Sequence, residues 1–197
     1  MTTKETIFFS PANRQEWREW LEENHSVESS VWLIYHKKSS PLTTITWSEA
    51  VDEALCFGWI DSLARPLDAD RYMQFFSRRK PQGGWSKINK EKIRKLTEEG
   101  RMSQAGLDAI AVAKQNGSWT LLDKVEELIV PDELTNALAE NAVALSFFEK
   151  LSKSDKRHLL YWVSSAKRDD TRLKRITEII EFTGQNLKPK ILTWKKK

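Results

Sequence analysis

Apolar and polar positions alternate along this chain with two different periods, and the change from one to the other divides it. In "NRQEWREWLEEN" Trp17, Trp20 and Leu21 stand three and four residues apart, which predicts an amphipathic helix over about residues 11–24. "SVWLIYHKK" is instead a compact run rich in β-branched and aromatic residues and predicts a strand near 30–37. "TWSEAVDEALCFG" returns to the helical period. Thr46 as N-cap with Glu49 three residues on forms a capping box, and Gly58 supplies a left-handed stop. "WIDSLARPLDADRYMQFFSRR" then reads as two short strands, near 59–65 and 71–78, around a Pro–Asp turn. Three strands with packed helices make a small α+β unit built on an antiparallel sheet.

From Lys87 onward the strand signal fades. "NKEKIRKLTEEG" carries Ile93 and Leu96 and stops at Gly100, while "SQAGLDAIAVAKQNG" begins on a Ser103 cap and stops at Gly117. "GSWTLLDKVEELIVP" is expected to continue in helical form until Pro131 opens the next helix at its first turn. "DELTNALAENAVALSFFEKLS", "SDKRHLLYWVSSAKR" and "DDTRLKRITEIIEFTG" each space apolar residues three and four apart. The expected fold class is therefore α+β: an N-terminal domain over 1–120 with a small antiparallel sheet, followed by an all-helical domain over 121–197 with a basic tail.

Composition narrows the classes of function. With 197 residues, 40% hydrophobic and 30% charged, the chain can bury a core and is too polar to live in a bilayer. No apolar run approaches the roughly 20 residues of a spanning helix, and "MTTKETIFFSPANRQEW" lacks a secretory pattern, so a cytoplasmic protein without membrane insertion is expected. One cysteine cannot form an internal disulfide, and His25, His36 and His158 lack metal-ligand spacing, so no metal or cofactor is expected. The net charge of +4 is unevenly placed. Residues 1–150 hold 19 Lys and Arg against 23 Asp and Glu, whereas residues 151–197 hold 13 against 5, and such a basic end suits an acidic partner or a solvated helix face.

The chemical candidates follow. Cys56 would neighbour Asp52 and Glu53 on its helix, and negative charge at a helix C-terminus disfavours the thiolate, so its sulfur reads as structural. Glu49 is explained by capping, and with Asp52 and Glu53 it favours the positive helix end. Asp61 follows the helix stop and would cap a turn, pair with Arg78 or Arg79, or orient a ligand. The loop "SRRKPQGGWSKIN" joins Arg78, Arg79 and Lys80 to two glycines, Trp85 and a helix start at Ser86 or Asn89, a combination suited to an anion. Its glycine spacing is not that of a P-loop. Arg168, Arg172 and Arg175 share a helical stripe that would contact phosphates or form a salt-bridged junction with Asp169, Asp170 and Glu178. Most of the nine tryptophans are expected to anchor the core.

"AVDEALCFGWIDS", the Trp85–Met102 pattern "WSKINKEKIRKL", "AGLDAIAVAKQNGSW" and "AKRDDTRLKRI" together resemble the bacterial YdeI/OmpD-associated, or bacteriocin-protection, family. The resemblance implies an α+β N-terminal part, a helical C-terminal part and a role in bacteriocin resistance or envelope stress, with no agreed catalytic set. The family loop carries a Pro-Arg pair and a Ser two before the tryptophan, where this chain has Arg78-Arg79 and Gly83. The leading expectation is a non-enzymatic stress protein that binds a small anionic ligand or a protein partner. Its cleft would be made by Trp59, Asp61, Arg78, Arg79, Trp85, Ser86 and Asn89. Nucleic-acid binding through Arg168, Arg172, Arg175 and the lysine tail is the alternative, and an enzyme using Asp61 or Cys56 is a third.

Overall fold

Val31, Leu33 and Tyr35 point to one face of a strand and are all buried, and this alternation sets the core side of the sheet in the N-terminal half. The computed structural model of the protein describes residues 6–37, 40, 42 and 44–193. They form two units, one reaching to Trp119 and the other starting at Thr120. In the first, the order is β1 (Phe8–Phe9), α1 (Arg14–Asn24), β2 (Ser30–His36), α2 (Trp47–Cys56), β3 (Trp59–Pro66), β4 (Arg71–Arg78), α3 (Lys87–Glu98) and α4 (Gln104–Gln115).

The sheet runs β1-β2-β4-β3. β2 and β3 both flank β4 antiparallel, but β1 lies parallel to β2, so the sheet is mixed where a purely antiparallel one was expected. Two residues, Phe8 and Phe9, carry too little pattern to announce a strand. The β3–β4 register shifts between Asp61 and Ala64, and Asp68 closes the hairpin by accepting from the backbone of Asp70 and Arg71 at 3.0 and 2.7 Å. Trp17, Leu21, Leu33, Leu55, Trp59 and Phe76 fill the space between the sheet and the helices. Each fully buried indole removes roughly 150–250 Å² from water, worth about 4–6 kcal/mol at ~25 cal/mol/Å². Trp17 also meets its polar requirement, donating Nε1–H to the Ala50 carbonyl at 3.0 Å.

The end of α2 is set by backbone geometry. Thr46 and Glu49 make the capping box, and Gly58 takes φ +71° beyond the last turn. The Cys56 carbonyl then accepts from both the backbone and the hydroxyl of Ser103, at 3.1 and 2.7 Å. A Cβ on Gly106 would lie 2.2 Å from that carbonyl oxygen, so only glycine lets α4 start this close to α2.

The second unit holds α5 (Asp123–Glu126), α6 (Asp132–Ala139), α7 (Ala142–Lys150), α8 (Lys153–Ser164), α9 (Asp169–Thr183) and α10 (Lys190–Thr193) around Leu134, Leu159, Leu160, Val163 and Ile179. The stretch 118–130 is mostly turn, with a single helical turn at α5. Pro131 sits one place earlier than expected, at the N-cap, with an extended ψ of 144°. Residues 132–150 divide because Asn141 accepts from the Ala144 amide at 3.0 Å and starts a new helix. Residues 194–197, the "WKKK" tail, lie outside the described residues. Among the described residues no helix is long and apolar enough to cross a membrane.

Candidate functional site

The segment linking β4 to α3 carries the most unusual arginine of the first unit. Arg79 continues the sheet by donating its amide to the Gly58 carbonyl at 2.9 Å. Its guanidinium then lies over the Trp85 ring, 3.6 Å from the centroid, and Nη2 donates to the Gly84 carbonyl at 2.7 Å. Nε and Nη1 are buried and find no hydrogen-bond partner among the described residues. Burial pushes the Arg79 guanidinium down to about 10, against the field of Asp61, which acts the other way. Trp85 is itself buried and packs against Trp119 at 5.2 Å, while Ser86 caps α3 by accepting from the Asn89 amide at 3.3 Å. Beside them is a pocket of about 180 Å³ lined by Arg79, Lys80, Pro81, Trp85, Asp108, Ala109 and Val112.

The remaining members of the expected cleft serve the packing around it. Trp59 is wholly buried, meets Trp20 edge-on at 5.9 Å and donates to the His25 carbonyl at 3.4 Å. Asp61 accepts from Trp47 Nε1 at 3.0 Å and from Gln74 Nε2 at 3.1 Å, tying α2 to the sheet. Arg78 clamps the turn after α1, donating to the Glu28 and Ser26 carbonyls at 2.7 and 2.6 Å. The structure thus gathers Arg79, Trp85, Ser86 and Asn89 at one loop-to-helix junction. Cys56 is fully buried, and its thiol is pushed up to about 11 by burial first and by the Glu53 carboxylate second.

The sequence pattern assigns Glu53 to the positive end of its helix, but α2 runs from Trp47 to Cys56 and has only Glu49 in its first turn, so Glu53 stands in the last turn and serves a different role. It is completely buried, and its carboxylate receives Arg14 Nε, Arg101 Nη2 and, at 2.9 Å, Arg18 Nη1. Arg18 also donates to the Arg101 carbonyl at 3.2 Å and covers the Phe57 ring at 5.2 Å. Burial lowers the Arg18 pKa, yet the bond to Glu53 and its charge outweigh this and hold it above the usual value. A signal for this role exists in the sequence: Glu53 stands three residues from Ala50 and from Cys56, on the apolar side of α2.

In the second unit the basic stripe is largely spent on its own helices. Arg172 forks onto Glu133 at 2.7 and 3.0 Å and reaches Asp169 at 3.0 Å. Arg175 donates to the Trp162 carbonyl and to Ser165 Oγ and lies over the Trp162 ring. Arg168 is exposed, 3.4 Å from Asp170. Among the described residues no group of three or more His, Cys, Asp or Glu is placed to hold a metal ion.

Fold and site together define a two-unit α+β chain whose first unit carries half-buried arginines beside pockets and whose second is a helical bundle. Residues 9–109, more than half of the chain, match the family model described as a domain of unknown function, DUF8412, and the chain belongs to that family. Residues 127–186 match the model described as Bacteriocin-protection, YdeI or OmpD-Associated, which bears out the resemblance over that stretch, where "AKRDDTRLKRI" lies; the other three motifs fall outside it. No curated protein and no solved structure matches the chain.

Proposed function

We propose that the protein binds a small organic carboxylate at Arg79 in the first unit, in the service of bacteriocin or envelope-stress protection in the cytoplasm. The observation that carries this reading is the Arg79 guanidinium, buried with Nε and Nη1 unspent beside a mostly apolar pocket. A buried donor without an acceptor costs about 1–3 kcal/mol, and an anion accepting from it recovers that cost with a charge-assisted bond. Trp85, Pro81, Ala109 and Val112 would wall a short aliphatic or aromatic body, and Lys80 adds positive charge at the rim. Both unspent donors are shut off from solvent, so entry requires a small shift of loop 80–84, where Gly83 and Gly84 let the backbone give. The role in protection is suggested by the family matched over residues 127–186.

The test is a thermal-shift and calorimetric screen of short-chain and aromatic carboxylates at constant ionic strength, on the full chain and on Arg79→Lys. A ligand present at 100 times its Kd raises stability by about 2.7 kcal/mol, and Arg79→Lys should abolish that shift while retaining the wild-type circular dichroism spectrum. The proposal fails if no carboxylate shifts the wild type, or if the lysine variant responds equally.

A further inference from the structure

Where α1, α2 and α3 converge, a second pocket of about 330 Å³ lies against the Glu53 cluster. Arg14, Lys92, Lys95 and Arg101 line it, opposed by Asp52 and Glu99. We propose that this pocket is a binding site for a tetrahedral dianion, the phosphate group of a small phosphomonoester. The site does not depend on the Arg79 reading.

The first reason is charge. Four cations face two carboxylates, and Glu53 behind them is already divided among three guanidiniums, so positive charge remains in excess. The second reason is donors left unspent. Arg14 Nη2 is buried without a hydrogen-bond partner among the described residues, standing 3.8 Å from Asp52. Arg101 Nη1 and Lys95 Nζ each stand 3.8 Å from Glu99. At that separation a carboxylate offers field without a hydrogen bond. Three differently placed cations therefore each keep a nitrogen held only by a long ion pair that a ligand can compete with, and a tetrahedral oxyanion presents acceptors in several directions where a planar carboxylate presents two oxygens in one plane.

The third reason is preorganisation. Arg14 and Arg101 are fixed by Glu53, and Lys92 is fixed by Asp52 at 2.5 Å and by Ser48 Oγ at 2.8 Å. Their side-chain entropy is already lost before a ligand arrives, which favours affinity. Lys95, 75% exposed and held only by its long ion pair with Glu99, is the member that would turn onto the anion.

The experiment is titration calorimetry on the full chain with inorganic phosphate and with glycerol phosphate, against chloride at matched ionic strength. Both probes should bind the wild type saturably, and the ester at least as tightly, because the pocket leaves room for its body. Lys95→Ala should weaken binding about fivefold, the upper range for an exposed charge pair, with an unchanged melting temperature. Glu99→Gln should tighten binding by a similar factor, since it removes the carboxylate that competes for Lys95 and Arg101. Arg79→Lys should leave phosphate binding as it was. Binding of inorganic phosphate without the ester would support the oxyanion site and reject the ester as its occupant. Absence of saturable binding by either probe at millimolar concentration would overturn the proposal, as would affinities that Lys95→Ala and Glu99→Gln both leave unaltered.

Discussion

Replacing Glu53 by Gln is the most direct probe of how the first unit holds itself together. The amide has nearly the shape of the carboxylate, so packing is conserved and only charge and acceptor capacity are lost. Three guanidiniums, from Arg14, Arg18 and Arg101, then face one another across a site that is wholly shielded from water at Glu53. Removing one partner of a buried ion cluster costs about 3–5 kcal/mol. The arginine side chains are 31%, 23% and 29% exposed, so water recovers part of their solvation and the lower end, about 3 kcal/mol, is the expected loss. At about 4 °C per kcal/mol for a domain of this size, the first unit should melt roughly 12 °C lower. Near-ultraviolet circular dichroism, which reads the tryptophans packed against α1 and α2, follows this unit during a melt. A Glu53→Gln protein melting within about 2 °C of the wild type would refute the view that the cluster is a structural centre.

Gly106→Ala should destabilise by about 1–3 kcal/mol through overpacking, because its Cβ would enter the space of the Cys56 carbonyl oxygen. A urea midpoint unchanged from the wild type would contradict that contact. Cys56 should resist alkylation in the native state, since burial and Glu53 raise its pKa from 9.0 to about 11 and cut the thiolate fraction at pH 8 about 100-fold. The folded pKa lies above the unfolded one, so the stability linked to the neutral thiol is complete below pH 9 and is lost as pH rises through about 11. A Cys56→Ala protein should therefore lose less stability than the wild type between pH 9 and 11, as measured by denaturant midpoints. Equal losses would show that the thiol does not carry the linkage.

What could be read in the sequence was local. The capping box at Thr46, the stop at Gly58 and the hairpin strands expected near 59–65 and 71–78 are fixed by neighbours a few residues away, and the structure has them, the first strand running one residue further to Pro66. The parallel pairing of Phe8 with Trp32 depends on a partner far along the chain and on only two residues, and it left no period to detect. The same reason hid which of the named cleft residues meet. Arg78 and Arg79 are adjacent in sequence and equal in chemistry, yet Arg78 meets carbonyls of the turn after α1 while Arg79 turns onto Trp85. Glu53 looked like any acid on a helix because Arg14, Arg18 and Arg101 reach it from other elements.

The run "CFGWID" shows how one helix end serves both pockets. Asp52 and Glu53, in the last two turns of α2, orient Lys92, Arg14 and Arg101 on one side. Beyond the last turn, Gly58 presents its carbonyl to the Arg79 amide, and a Cβ there would crowd Ala105 and Ala109, the latter lining the Arg79 pocket. Neither role is open to another residue type at low cost. A side chain at 58 would be strained at φ +71° and would meet the Ala105 carbonyl oxygen at 3.1 Å, and an uncharged residue at 53 would strand three arginines. The sulfur between them contributes only its volume and a neutral thiol. The chemistry of this segment therefore resides in the backbone of Cys56 and Gly58 and in the two carboxylates that precede them.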